Sequence, residues 1–234
     1  MIALVRTTIC VALLSAGGAI SSASATPLPD PARLPQQFMM MESPAEDMLE
    51  AIDSKQVGKL NKLYHELEFD MVAVNLIIET GSADDAQRYE VGLLNSWFDQ
   101  IALELDEMDD LPALANAINQ FSAQLVVATH VEHAYRKNIA WMDYLGREFL
   151  LLNKQPSDSP HHKALLSARK ADLQATWLSV KAAMGTDADA VALIERVDPL
   201  IHGLISEARP DQLVVLAKKE LELIDDIEAC FHIN

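Results

Sequence analysis

Cysteine is almost absent: the 234-residue chain has two, Cys10 and Cys230. Neither a Cys-x-x-Cys pair, a Cys-x-x-Cys-His haem attachment site nor a thiolate zinc site can be made from them. Glycine is scarce too, with eight residues, and none builds a phosphate-binding loop. Gly-x-Ser-x-Gly and His-Glu-x-x-His are missing, so the hydrolase elbow and the zinc-protease helix are excluded. Positive charge is in short supply. Eighteen Lys and Arg stand against 35 Asp and Glu, a formal net charge of −17. A chain so acidic repels nucleic acid and anionic membrane surfaces and favours cationic partners. Aromatic residues are 6% of the chain. Trp97, Phe98, Trp141, Tyr144, Phe149 and Trp177 are expected to pack the core.

Long apolar runs are also few. The one at the start, Ile9 to Ile20, follows a single basic residue, Arg6, and leads to Ala23-Ser24-Ala25. A positive head, an apolar middle and a small-residue end are the three parts of a secretory signal peptide, so residues 1–25 are expected to be removed after Ala25. The run is too short to span a bilayer, which needs about 20 apolar residues. Cys10 lies inside the run and not at its end, which argues against lipoprotein processing. Processing would leave 17 basic and 35 acidic residues, or −18, and Cys230 as the one thiol. One thiol makes no intramolecular disulfide, and Cys230 reads as a small hydrophobe on a helix. The expected location is the periplasm of a Gram-negative bacterium, with secretion into the medium as the alternative and no transmembrane helix after processing.

What remains reads as helix. Residues 26–43 hold Pro27, Pro29, Pro31 and Pro35, with Pro44 next, and are expected to form an extended Pro-rich tail. From residue 44 to 234 no alternating strand pattern is found, and apolar residues recur at spacings of three and four. Leu60, Leu63, Leu67, Met71, Val74 and Ile78 make one stripe. Leu94, Phe98, Ile101, Leu105 and Met108 make a second, and Leu114, Ile118, Phe121, Leu125 and Ala128 a third. Ile139, Met142, Leu145, Phe149 and Leu152 make a fourth. Leu216, Leu223, Ile227 and Phe231 make the last, with Glu220 interrupting it. Each stripe must be buried against neighbours, which a helix bundle does. The expected fold is all-α: an up-and-down helix bundle of six to eight helices, arranged as two tandem three- to four-helix units.

The tandem reading rests on punctuation. Gly81-Ser82-Ala83-Asp84-Asp85 and Gly185-Thr186-Asp187-Ala188-Asp189 each offer a glycine to end one helix in the left-handed conformation. In each, Ser82 or Thr186 could cap the next helix, with Asp85 or Asp189 completing an acidic capping box. Pro112 and Pro210 each open a further helix. The implied repeat covers 59–137 and 162–232. Between the copies, either one long helix continues from near Pro112 or the chain breaks near Asn138.

Chemistry-bearing groups are sparse. His130-Val-Glu-His133 puts two imidazoles on one helical face, where they could share a metal. Met39, Met40 and Met41, with Met48 beyond, offer soft thioethers suited to Cu(I), or an apolar start to the first helix. Non-covalent haem between a methionine and a histidine has a loose architectural resemblance to exported bundle cytochromes. No histidine follows a glutamate by three, which argues against a ferritin-like di-iron site. The acidic runs 104–110 and 220–228 read as solvated faces with a weak affinity for cations. The reading that results is an exported, non-enzymatic helical accessory protein of the cell envelope that binds a protein partner or a cation and carries no cofactor. The alternative is a periplasmic copper or haem carrier, and a carboxylate enzyme ranks third.

Overall fold

The structure is a computed structural model and describes residues 34–81, 83–108, 110–129, 134–154, 159–207 and 209–231. The signal segment 1–25, His130 and His133 lie outside the described residues. Among the described residues eight α-helices follow one another: α1 (Leu34–Asp53), α2 (Leu60–Thr80), α3 (Asp85–Glu107) and α4 (Leu111–Ala128), then α5 (Ala134–Leu152), α6 (Pro160–Ala183), α7 (Ala188–Ser206) and α8 (Pro210–Cys230). The fold is an all-α bundle. Among the described residues there is no strand, and no helix is long and apolar enough to cross a membrane.

The helices close into two rings. α1 packs on α2, α2 on α3, α3 on α4 and α4 back on α1; α5 to α8 repeat this pattern, and α4 against α5 joins the rings. Each ring has its own core. Phe38, Met41, Met48, Leu67, Leu94 and Phe121 are among the residues filling the first. Met142, Phe149, Leu173, Trp177, Val197 and Ile224 are among those filling the second. The stripes on α2, α4 and α5 are buried at every expected position, as geometry requires of an amphipathic helix facing a core. On α3, Leu94, Ile101 and Leu105 are buried, Phe98 is partly so, and Met108 is exposed past the helix end.

Four local expectations are corrected. Residues 34–43, expected in the extended tail, are helical, because Pro35 sits in the first turn, where its missing N–H has no helical partner to lose. Pro44 lies inside α1 and is tolerated there, with Phe38, Met41, Ala45, Met48 and Ala51 buried around it on one face. The inter-helix turns have a different cap. Gly81 is extended (φ −92°, ψ 179°), and the N-cap of α3 is Asp84. Asp84 Oδ1 accepts from Gln87 N at 2.8 Å, and Asp84 N donates to Gln87 Oε1 at 3.0 Å. Asp187, not Thr186, caps α7, accepting from Asp189 N and Ala190 N. A carboxylate nearer the helix thus takes the role expected of the hydroxyl. Among the described residues the left-handed ones are Lys55 and Met108, and no glycine has positive φ. Between the rings α4 stops at Ala128, with Thr129 extended, and α5 starts at Ala134, so the break comes before Asn138.

The fourth correction positions the site. The buried stripe of α8 runs through Leu213, Ala217, Glu220, Ile224 and Ile227. Leu216, Leu223 and Phe231 are only partly buried beside it. Glu220 does not interrupt the stripe from outside; it is a member of it.

Candidate functional site

α5 carries acids and bases on two sides, and each side makes a polar cluster with different neighbours. Toward α4 and α6 it presents Glu148, whose side chain is 3% exposed. Asn119 Nδ2 donates to Glu148 Oε2 at 2.9 Å and Gln120 Nε2 donates to the same oxygen at 3.1 Å. Arg169 Nε of α6 stands 3.5 Å from the other oxygen, and its guanidinium covers the Tyr144 ring at 5.5 Å. Every element in contact at the α4–α5–α6 junction contributes, so this cluster joins the two rings. Burial and the Glu148 charge push the Tyr144 hydroxyl up to about 12, so it stays a neutral donor.

Toward α1 and α8, α5 presents Asp143 and Arg147. Arg147 Nη2 lies 2.7 Å from Asp143 Oδ2 one turn away, and Nη1 lies 2.9 Å from Glu46 Oε1 on α1. Burial would lower the Arg147 guanidinium, but Asp143 and Glu46 outweigh it and hold it above its ordinary value. Burial, with Glu46 adding to it, raises the Glu42 carboxyl to about 7. Burial also raises Asp143 to about 7, although Arg147 opposes it. Glu228 on α8 is raised by burial and by Asp225. One cation thus serves more carboxylates than it can neutralise.

Glu220 completes this cluster from α8. It is 1% exposed, and neither carboxylate oxygen has a hydrogen-bond partner. Burial holds its carboxyl well above the usual range, and Asp143 reinforces that. Its carboxylate lies against α5 at Gly146, where Asp143 and Arg147 act on it electrostatically. A Cβ at Gly146 would stand 2.1 Å from Glu220 Oε2. Gly146 is therefore the residue that admits the acid.

Above the cluster a groove of about 480 Å³ runs between α1, α5 and α8. Glu42, Glu46, Asp47, Glu50, Asp143, Asp225 and Glu228 line it, and Arg147 is the one base among its lining residues. A smaller pocket of about 100 Å³ continues it, lined by the apolar Phe38, Met39, Leu125 and Ala140 and by the bases Arg136 and Lys137.

The chain matches no known family model, no curated protein and no solved structure.

Of the residues singled out from the sequence, Met39, Met40 and Met41 all lie on α1, but the structure does not bring them together. Met41 is fully buried in the first core, whereas Met39 and Met40 are about half exposed. Consecutive helical residues point about 100° apart, which is why three adjacent thioethers do not converge. Among the described residues no group of three or more His, Cys, Asp or Glu is arranged to hold a metal ion. Glu42, Glu46, Asp143 and Arg147 were not expected. The one sequence signal for this cluster was Glu220, an acid inside an apolar stripe.

Proposed function

We propose that the protein is an exported, non-enzymatic helical interaction protein of the cell envelope, periplasmic in location, and that the α1–α5–α8 groove receives a cationic group of its partner. The observation that carries this reading is the groove's composition. Seven carboxylates face one guanidinium. A cleft lined by one sign of charge between low-dielectric walls focuses its field on an incoming counter-charge. A primary amine or guanidinium would favour the ionised forms of Glu42 and Asp143, which burial holds up near 7. Its binding then releases protons at neutral pH.

Calorimetric titration of the purified protein with penta-arginine, in buffers of differing ionisation enthalpy, tests this. Binding weaker at high salt, accompanied by proton release and weakened at least about fivefold by E42Q/E228Q, is the expected result. Penta-glutamate should give no heat. Absence of penta-arginine binding, or binding indifferent to E42Q/E228Q, would refute the reading. Export is tested separately: the periplasmic fraction should yield a chain beginning at Thr26. The tandem arrangement is proposed as a duplication, for which superposition of 59–137 on 162–232 is the test.

A further inference from the structure

We infer that the outer face of α2 is a self-association surface on which two copies of this chain pair antiparallel about a twofold axis. The proposal is independent of the acidic groove. α2 buries Leu60, Leu63, Leu67, Met71, Val74 and Ile78. On the opposite side, Phe69 is 76% exposed, Val72 62% and Leu76 49%. Met40 of α1 (51% exposed) shares a surface hollow with Phe69, which widens the apolar patch across two helices. Phe69, Val72 and Leu76 continue outward through His65 and Lys62 on one end and Glu79 on the other, all exposed. The six positions are spaced three, four, three, four and three apart, the seam spacing of a two-helix coiled coil.

Charge decides the occupant and its direction. With a twofold axis midway between positions 69 and 72, Phe69 meets Val72 of the other copy and His65 meets Leu76. Lys62 then meets Glu79 at both ends. The flanking acids fall safely as well: Glu66 faces Asn75 and Glu68 faces Ala73 of the second copy. Parallel pairing would instead set Lys62, Glu66, Glu68 and Glu79 each against itself. An isologous interface needs a self-complementary surface, and α2 is self-complementary only in the antiparallel sense. About five turns of helix make a contact at the small end of specific interfaces, so a weak, reversible dimer is expected.

Sedimentation equilibrium of the purified protein, from about 1 µM to about 1 mM at low salt, reads this out, with circular dichroism confirming that each variant keeps its fold. These positions are exposed, so folding should be unaffected. F69E should weaken the dimer at least about tenfold. K62E and E79K should each weaken it by roughly three- to tenfold, since each places like charges at both ends. The double variant K62E/E79K should return to within about twofold of the native value. An equimolar mixture of the two single variants should associate as tightly as the native chain, because the mixed pair restores both contacts. A monomer throughout the range overturns the proposal. So does a dimer indifferent to F69E, or a double variant no tighter than the singles. Binding of the monomer to phosphatidylcholine vesicles through Phe69 would assign the face to a lipid surface and overturn it equally.

Discussion

Replacing Gly146 by alanine sets two effects of opposite sign against each other. Gly146 lies inside α5, where alanine is favoured over glycine by about 1 kcal/mol through helix propensity alone. Against this, the new Cβ would stand 2.1 Å from Glu220 Oε2, 2.7 Å from Leu221 Cδ2 and 2.9 Å from Leu221 Cγ. Leu221 is partly exposed and can move aside; Glu220 is enclosed and cannot. Overpacking of a closed site costs about 1–3 kcal/mol. The clash should therefore outweigh the propensity gain, with a net loss of up to about 2 kcal/mol and a fall in Tm of up to roughly 8 °C for a domain of this size. Urea denaturation followed at 222 nm gives the comparison. The decisive measurement repeats G146A in an E220A background. There the carboxylate is gone, and the loss should shrink to near zero or turn into a gain, a coupling of at least about 1 kcal/mol. A stabilising G146A in the native chain, or an equal loss in both backgrounds, would refute the argument that Gly146 exists to admit Glu220.

Three further outcomes follow from the same geometry. Burial holds Glu42 and Asp143 near 7 and Glu220 well above its usual range, so the folded state favours their neutral forms. Their contribution is complete below the unfolded carboxyl range, near 4, and is lost as pH rises through about 7. Thermal melts should thus show Tm falling from pH 5 to pH 8, and E220Q should flatten that slope. Asp198 works the other way, since Lys181 and Trp177 outweigh the burial that would raise it, but its loss falls below this window. E148A leaves the Arg169 guanidinium without its buried partner, and R169M leaves the carboxylate. Each should lower stability by about 3–5 kcal/mol in urea titrations, whereas a surface pair such as Lys62–Glu66 should contribute under about 1 kcal/mol. Burial, with Asp187 and Asp189 nearby, raises the Cys230 thiol. Iodoacetamide at pH 8 should therefore modify it several-fold more slowly than free cysteine.

The fold was legible because it is written in periodicity. Leu60 to Ile78 and Ile139 to Leu152 alternate at helical spacing over four or more turns, and no local substitution obscures them. The helix boundaries were less so. Asp84 and Asp187 compete with Ser82 and Thr186 for the same capping role, and all four are good caps; which one wins depends on where the helix docks, not on residue type. α1 was missed before residue 44 because proline counts against helix in the interior, and Pro35 sits at the one turn where it does not. The acidic cluster was nearly illegible for another reason. Asp143 and Arg147 look like an ordinary i, i+4 surface pair on α5. Only the docking of α1 and α8 on that face turns the pair into a desolvated group, and contacts 101 residues apart, such as Arg147 with Glu46, leave no trace in local spacing.

Glu220 is the residue for which packing gives no account. An apolar side chain of its size would extend the stripe from Leu213 to Ile227, and a buried acid without partners is worse for stability than that alternative. Gly146 is likewise the poorer helix former at its position. Each is locally unfavourable, and the two require each other sterically. Where two such choices coincide, the physical consistency found elsewhere along the chain has been broken at one place for one reason. That place lies behind Asp143 and Arg147, which line the acidic groove and act electrostatically on Glu220. On the proposed function, a neutral Glu220 would keep an ionisable group electrostatically coupled to Asp143 and Arg147 without adding charge before a cation binds. Ionisation of Glu220 when the groove fills would strengthen the field on the bound cation. E220Q should therefore reduce both penta-arginine affinity and the protons released on binding. A structural spacer would reduce neither.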